Sequence, residues 1–395
     1  MLAVVAAFIL VPAALVAGYY IFLAGAEVLR HDMPRPFFPS PAHRLAVLIP
    51  AHNEESTVST AIQSCLALDY PRGLFEVIVL ADNCSDRTAE VAAACGVKCL
   101  VRRDDIRWGK GFALEWAFEK LRSEDYDAYV ILDADCLIDR PALREFDLQL
   151  QQGAEAIQAS YMVANPDDNP ISYVLAVGNL IENQLFYDAK SRLGLTVLIR
   201  GTGMVLKKSL LERIPWNAHS VVEDAEYSLR LVKAGLRVVF CGQVAVRSKS
   251  PVNQEQLHVQ RERWAKGTLG FGKAQALRLM AQGLRTRSRA LVDAGWTLLV
   301  LSRPLVLAYT LAAVLFCTLA WWYAPGPVMG WIALTALLII ALHAGYFGLG
   351  ILLLGITAER LKFLLAMPLV LANLTWISIR GLRGAEGLLW HRTPR

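Results

Sequence analysis

The sequence predicts an α/β protein, a doubly wound mixed sheet with helices on both faces, held at a membrane. Three observations predict it. Short apolar runs alternate with helical patterns between Leu45 and about Cys241. Each run ends in a polar cluster, and open α/β sheets bind ligands at the carboxyl ends of their strands. Long uncharged runs, Leu2 to Ala26, Leu305 to Tyr323 and Val328 to Leu354, flank this charged block and are long enough to cross a bilayer.

Composition agrees. Of 395 residues, 55% are hydrophobic and 19% charged, enough for one enzyme domain plus membrane elements. The net charge of +5 is modest. Its basic residues gather between Arg261 and Arg289 and in the tail, beside apolar helices, which points to anionic lipid or nucleotide phosphate and not to nucleic acid. Seven cysteines form no CxxC pair and no zinc spacing, as suits a reducing compartment. Ala24-Gly25-Ala26 has the look of a cleavage site. Yet no Lys or Arg precedes the first apolar run, and that run exceeds a secretory signal core, so it reads as a retained helix. Arg30, Arg35 and Arg44 follow it and place the next domain in the cytoplasm.

Taken in order, Leu45–Ile49 is a strand ending in PAHNEE, and Ser56 then caps a helix to about Leu68. Phe75–Leu80 is a strand ending in ADNCSD, with Asp86 capping a helix from Arg87 to Ala94. Val97–Val101 is a third strand, and Gly109-Lys110-Gly111 opens a helix to about Leu121. Tyr129–Leu132 is a buried strand ending in Asp133-Ala134-Asp135. Carboxylates at i and i+2 point the same way and can share a hard divalent cation; an Asp pair capping the next helix has the same spacing. Ala154–Ser160 reads as a strand and Pro170–Ala189 as a helix. Leu195–Leu206 encloses the turn Gly201-Thr202-Gly203. A helix from Val222 to Lys233 begins with Glu223-Asp224, followed by strand Arg237–Cys241 and a long basic helix, Gln254 to about Leu284. Leu361–Ile379 is apolar but has basic residues on both sides, so it is expected to lie at the cytoplasmic face, leaving three crossings. Neither GxGxxG nor GxxxxGK[ST] occurs.

The ordered landmarks are PAHNEE (50–55), ADNCSD (81–86), WGKG (108–111), DAD (133–135), GTG (201–203), VED (222–224) and QRERW (260–264). This series resembles family 2 glycosyltransferases of the GT-A fold. The likeness is to the membrane-embedded branch: chitooligosaccharide, hyaluronan, cellulose and poly-N-acetylglucosamine synthases and ceramide glucosyltransferases. The resemblance implies an inverting transferase at the inner membrane, a UDP-sugar donor (UDP-N-acetylglucosamine or UDP-glucose) and Mg2+ or Mn2+. A growing polysaccharide or oligosaccharide is the first acceptor expected, a lipid the second. A catalytically silent scaffold is the rival class. A homo-oligomer or a secretion partner fits the same likeness.

Carried over residue by residue, Asn53, Glu54 and Asp82 border the base and ribose, with Lys110 along the same pocket. Asp135 holds the metal and diphosphate, and Asp133 sits nearby. Asp224 is the base, with Glu223 beside it. Gly201, Thr202 and Gly203 line the acceptor pocket. Gln260, Arg263 and Trp264 share one side of a helix; Arg263 meets the leaving diphosphate and Trp264 stacks on the acceptor. The family's DDxSxD is ADNCSD here, so only Asp82 transfers. The expected units are 1–29 (membrane helix), 30–42 (linker), 43–250 (transferase), 251–303 (interfacial helices), 304–356 (two membrane helices) and 357–395 (interfacial helix and tail).

Overall fold

The computed structural model describes residues 1–29, 39–251 and 254–381, apart from the side chains of 254–256, 259–260, 263–271 and 273–274. Helix α1 is Leu2–Val28. The domain then alternates strand and helix: β1 Leu45–Ala51, α2 Val58–Leu66, β2 Phe75–Asp82, α3 Thr88–Ala94, β3 Lys98–Arg102, α4 Lys110–Lys120 and β4 Ala128–Ile131. There follow β5 Cys136–Ile138, α5 Ala142–Gln151, β6 Ala156–Val163, α6 Pro170–Leu180, α7 Ala189–Arg192 and β7 Met204–Lys207. Next come α8 Lys208–Arg213, α9 Glu223–Lys233, β8 Val238–Ser248, α10 Gln254–Thr286 and α11 Arg289–Val300. Three long apolar helices complete the order: α12 Arg303–Tyr323, α13 Pro327–Leu354 and α14 Ala358–Gly381.

One eight-stranded sheet runs β3-β2-β1-β4-β7-β6-β8-β5. Strands β1 to β4 pair in parallel, and β7 enters antiparallel between β4 and β6. Strands β1, β2 and β4 are buried on both faces, which is why they read as unbroken apolar runs. One face packs under α2 and α5 through Val47, Val58, Ile62 and Phe146. The other carries Leu48, Leu114, Tyr129, Tyr227 and the α6 helix.

Several expectations shift. Ser56 does not start a helix; Thr57 occupies the cap of α2, and its hydroxyl donates to Glu54 Oε2 at 2.7 Å. Between α6 and α7 the turns widen into a π-helix, Ile181–Asp188, so the expected single helix carries a mid-length change of pitch. Strand β8 runs on to Ser248 because β5, too short to read in the sequence, pairs with its far end.

Helices α1, α12 and α13 pack together through small residues, among them Ala6, Ala13, Ala17, Ala313, Ala320 and Ala336. These three helices and α14 are long and apolar enough to cross a membrane. The contacts of α14 set it apart. Near its start, Arg360 grips Asp167, before α6, through Nε (2.6 Å) and Nη2 (2.9 Å). Near its end, Thr375 donates to Pro304 O (3.3 Å), Ser302 to Ser378 (3.2 Å), and Arg380 lies 3.6 Å from Glu262. Both ends of α14 therefore meet the domain side of the bundle.

Candidate active site

The carboxyl ends of β1 and β2 form two stitched loops. Asn53 and Asn83 sit at positive φ, 57° and 50°, a region asparagine tolerates better than most residues. The Asn53 carboxamide oxygen accepts from the amides of Ser85 (2.7 Å) and Asp86 (3.3 Å). The Glu54 amide donates to Thr88 Oγ1 at 2.8 Å, and Asp86 Oδ1 accepts from the Thr88 amide at 3.0 Å, as its expected capping role requires. Asp82 is buried and takes Arg102 Nη1 at 2.6 Å. Burial raises its carboxyl above the usual range against the pull of Arg102.

At the end of β4 the elements converge. Gly109 (φ 112°) begins α4 and aims Lys110 inward. Its ammonium pairs with Asp133 Oδ1 and donates to Gly201 O at 2.7 Å. Burial lowers the Lys110 pKa, but Asp133 and Glu223 outweigh it and hold the ammonium above its ordinary value. The Asp133 amide donates to Thr202 Oγ1 at 3.1 Å, so this threonine braces the loop that follows β4. Gly201 has φ 74°, and a Cβ there would lie 3.3 Å from Asp224 Oδ2 and 3.4 Å from Lys110 Nζ. Only glycine lets these groups approach so closely.

Asp133, Asp135 and Cys136 each offer a donor atom, all within 4.8 Å of one another. Burial pushes the Cys136 thiol well above its ordinary value, and a soft sulfur is a poor match for a hard cation. Two carboxylate oxygens remain, a donor set that suits Mg2+ or Mn2+ with phosphate oxygens completing the shell.

Glu223 and Asp224 open α9, and the Asp224 Oδ1 accepts from the Ala225 amide at 2.7 Å. Burial, then the neighbouring Asp224 charge, pushes Glu223 from 4.5 up to about 8. Burial also raises Asp224, against Ala225 and Lys110. The sign of the pH effect follows. Unfolded, Glu223 is ionised above 4.5; folded, it keeps its proton to about 8. The folded state holds the extra proton between these values, so stability falls as pH rises across that window and levels off above it. Thermal unfolding from about pH 5 to 9 should show this slope, smaller in Glu223→Gln; identical slopes would exclude Glu223 as its source.

A cavity of about 1120 Å³ begins at Lys110, Asp133, Gly201, Thr202, Glu223 and Asp224 and runs to the long helices. Its far wall is Val174, Leu307, Phe347, Met367, Leu371 and Ile377. Between the ends stand Glu182, Arg200, Arg261 and Arg303. Arg200 and Arg303 approach the same Glu182 oxygen at 3.5 and 3.3 Å. Burial raises Glu182, and these guanidiniums more than reverse it, holding it below the usual range. The sequence reading placed Arg261 in its basic stretch but missed Glu182, Arg200 and Arg303. The available signals were Arg200 abutting GTG, a carboxylate in the apolar helix at 182, and Arg303 abutting an apolar run.

Of the expected site residues, Lys110, Asp133, Gly201, Thr202, Glu223 and Asp224 line this cavity. Gly203 faces the sheet instead, where a Cβ would lie 2.8 Å from Val246. Asn53, Glu54, Asp82 and Asp135 do not line it. The β1–β2 loops reach it through Trp108, a lining residue whose ring meets His52 edge-on at 6.0 Å. The side chains of Gln260, Arg263 and Trp264 lie outside the described residues, on α10.

The family described as "Glycosyltransferase like family 2" matches residues 41–267. The chain belongs to glycosyltransferase family 2. Among its relatives is the probable glycosyltransferase YdaM of Bacillus subtilis, 23% identical over 63% of this chain and 60% of that protein. The β-monoglucosyldiacylglycerol synthase of Trichormus variabilis is 25% identical over 56% of this chain and 48% of that protein. The UDP-forming cellulose synthase 1 catalytic subunit of Komagataeibacter xylinus is 26% identical over 65% and 35%. The matched stretches thus span about half the length of the first two relatives. The structure of the Pyrobaculum calidifontis mannosyltransferase PcManGT, in complex with GDP-Man and Mn2+, aligns at TM-score 0.60 with 20% identity. It covers 96% of this chain and 99% of that one, and establishes the GT-A-like fold for this family 2 enzyme.

Proposed function

We propose that this glycosyltransferase moves a single sugar from a UDP-sugar, UDP-N-acetylglucosamine or UDP-glucose, to a hydroxyl of a lipid acceptor, with inversion at the anomeric carbon. One observation carries this reading: the cavity holding Asp133 and Asp224 continues into an apolar wall built by α6, α12, α13 and α14. Hydrocarbon fits that wall, whereas the hydroxyls of a growing polysaccharide would face carbon there without partners. Polymer and glycolipid synthases both stand among the relatives, so family membership does not choose between them.

Asp224 accepts the proton of the attacking hydroxyl. The oxygen of that acceptor hydroxyl bonds to the anomeric carbon as the bond to the diphosphate breaks on the opposite face. Asp135, with Asp133 beside it, would hold Mg2+ or Mn2+, which would supply positive charge to the leaving diphosphate. Lys110 keeps Asp133 oriented. Asn53, Glu54 and Asp82 shape the nucleoside end, while Gln260 and Arg263 serve the diphosphate and Trp264 the acceptor. Product mass after incubating native membranes with each sugar nucleotide tests the acceptor. A lipid plus one hexose supports the reading; a ladder of sugar repeats would replace it with polysaccharide synthesis.

The setting is the cytoplasmic face of the inner membrane, with α1, α12 and α13 crossing and α14 lying in the interface. The support is that both ends of α14 are tied to domain-side residues, Asp167 at one end and Ser302 and Pro304 at the other. Single cysteines at Lys362 and Arg380, in a chain lacking its own, should react with an impermeant maleimide only after the membrane is opened. Reaction of just one of them from outside would make α14 a fourth crossing.

A further inference from the structure

We propose that Arg200, Arg261 and Arg303, gathered around Glu182, bind the phosphate headgroup of a lipid whose chains lie against the apolar wall. The inference rests on the lipid-acceptor reading and specifies the chemistry of that lipid. Arg200 and Arg303 share the one carboxylate of Glu182, an excess of positive charge, and Arg261 lines the same cavity. The side chains of Glu182, Arg200 and Arg303 are only 13, 18 and 15% exposed. Buried charge without a counter-charge is costly, so this excess calls for an anionic ligand.

The geometry leaves hydrogen-bonding capacity for one. Arg200 and Arg303 meet Glu182 through single long contacts of 3.5 and 3.3 Å, not through bidentate forks. The Nε of Arg303 is buried and makes no hydrogen bond among the described residues. Aromatic rings support both planes, Tyr161 at 5.2 Å from Arg200 and Phe186 at 5.9 Å from Arg303. A planar guanidinium held in this way suits the oxygens of a phosphate.

The donor diphosphate is the obvious competitor. At the sheet edge the charge has the opposite sign: Asp133 and Asp224 against Lys110. The cation and the diphosphate it accompanies balance each other there. Arg303 instead opens α12, and Leu307, Phe347 and Leu374 line the same cavity on the membrane side. A phosphate at Arg303 thus places an attached hydrocarbon chain directly on the apolar wall.

The test uses the full chain in detergent with two probes of identical acyl chains, phosphatidic acid and diacylglycerol, which differ only in the phosphate. Native mass spectrometry reads which one is retained. The parent should retain phosphatidic acid about tenfold over diacylglycerol. Arg200→Ala and Arg303→Ala should bring that preference close to one, and Arg303→Lys should keep part of it. Glu182→Gln removes the competing carboxylate at constant shape and should raise the preference, which keeps the idea testable if an alanine variant unfolds. Equal retention of both lipids by the parent overturns the headgroup site but leaves the lipid-acceptor reading standing. Retention of neither overturns both. Displacement of phosphatidic acid by UDP or by inorganic phosphate at equal concentration assigns the cluster to a soluble phosphate and overturns it too.

Discussion

Asp224→Asn should lower sugar transfer by at least about a hundredfold while UDP binds as in the parent. The substitution keeps the size of the side chain and leaves an oxygen to accept from the Ala225 amide, now 2.7 Å away. It removes only the ability to take a proton. General-base assistance is worth roughly a hundred- to ten-thousand-fold, so the loss falls on rate and spares nucleotide affinity. In the parent, burial and the Asp224 charge hold Glu223 protonated, which leaves Asp224 as the carboxylate available near neutrality. A UDP titration and an initial-rate assay on one preparation decide the matter. If UDP affinity fell in step with rate, Asp224 would belong to the donor site, and Glu223 would become the base.

Asp135→Ala should abolish UDP release in a protein that still folds. Asp135 and Asp133 are the carboxylates of the three-residue group that fits a hard cation, and Asp133 is also tied to Lys110 and Thr202. Replacing Asp133 would disturb that bracing as well, so Asp135 is the cleaner position. Loss of Lewis-acid help costs several kcal/mol of transition-state stabilisation, a fall on the order of a hundredfold or more. EDTA should reproduce the loss in the parent, and Mn2+ or Mg2+ should restore it. Full turnover in EDTA would remove the metal from the mechanism.

What could be read beforehand follows the physics of each element. Strands β1, β2 and β4 were legible because both their faces are buried, giving short runs such as Val77–Leu80. The meeting of Lys110, Asp133, Gly201 and Asp224 was legible only as an ordered series of motifs, since nothing local encodes a contact 91 residues apart. Strand β5 was not legible: three residues carry no period, and its existence depends on the far end of β8. The Glu182–Arg200–Arg303 cluster was not legible either. Each of these charges reads locally as the flank of an apolar segment, and only the packing of π-helix, loop and α12 brings them together.

Inserting β7 between β4 and β6 also fixes when the enzyme becomes competent. The Lys110–Gly201 and Asp133–Thr202 contacts close loops of 91 and 69 residues. Loop-closure entropy of that kind is met before the contact returns anything, so pairings so distant in sequence form slowly. The parallel half, β3-β2-β1-β4, has its ladders without β7, but the Gly201 carbonyl and the Thr202 hydroxyl arrive only when β7 docks. Competence is thus a late event of folding.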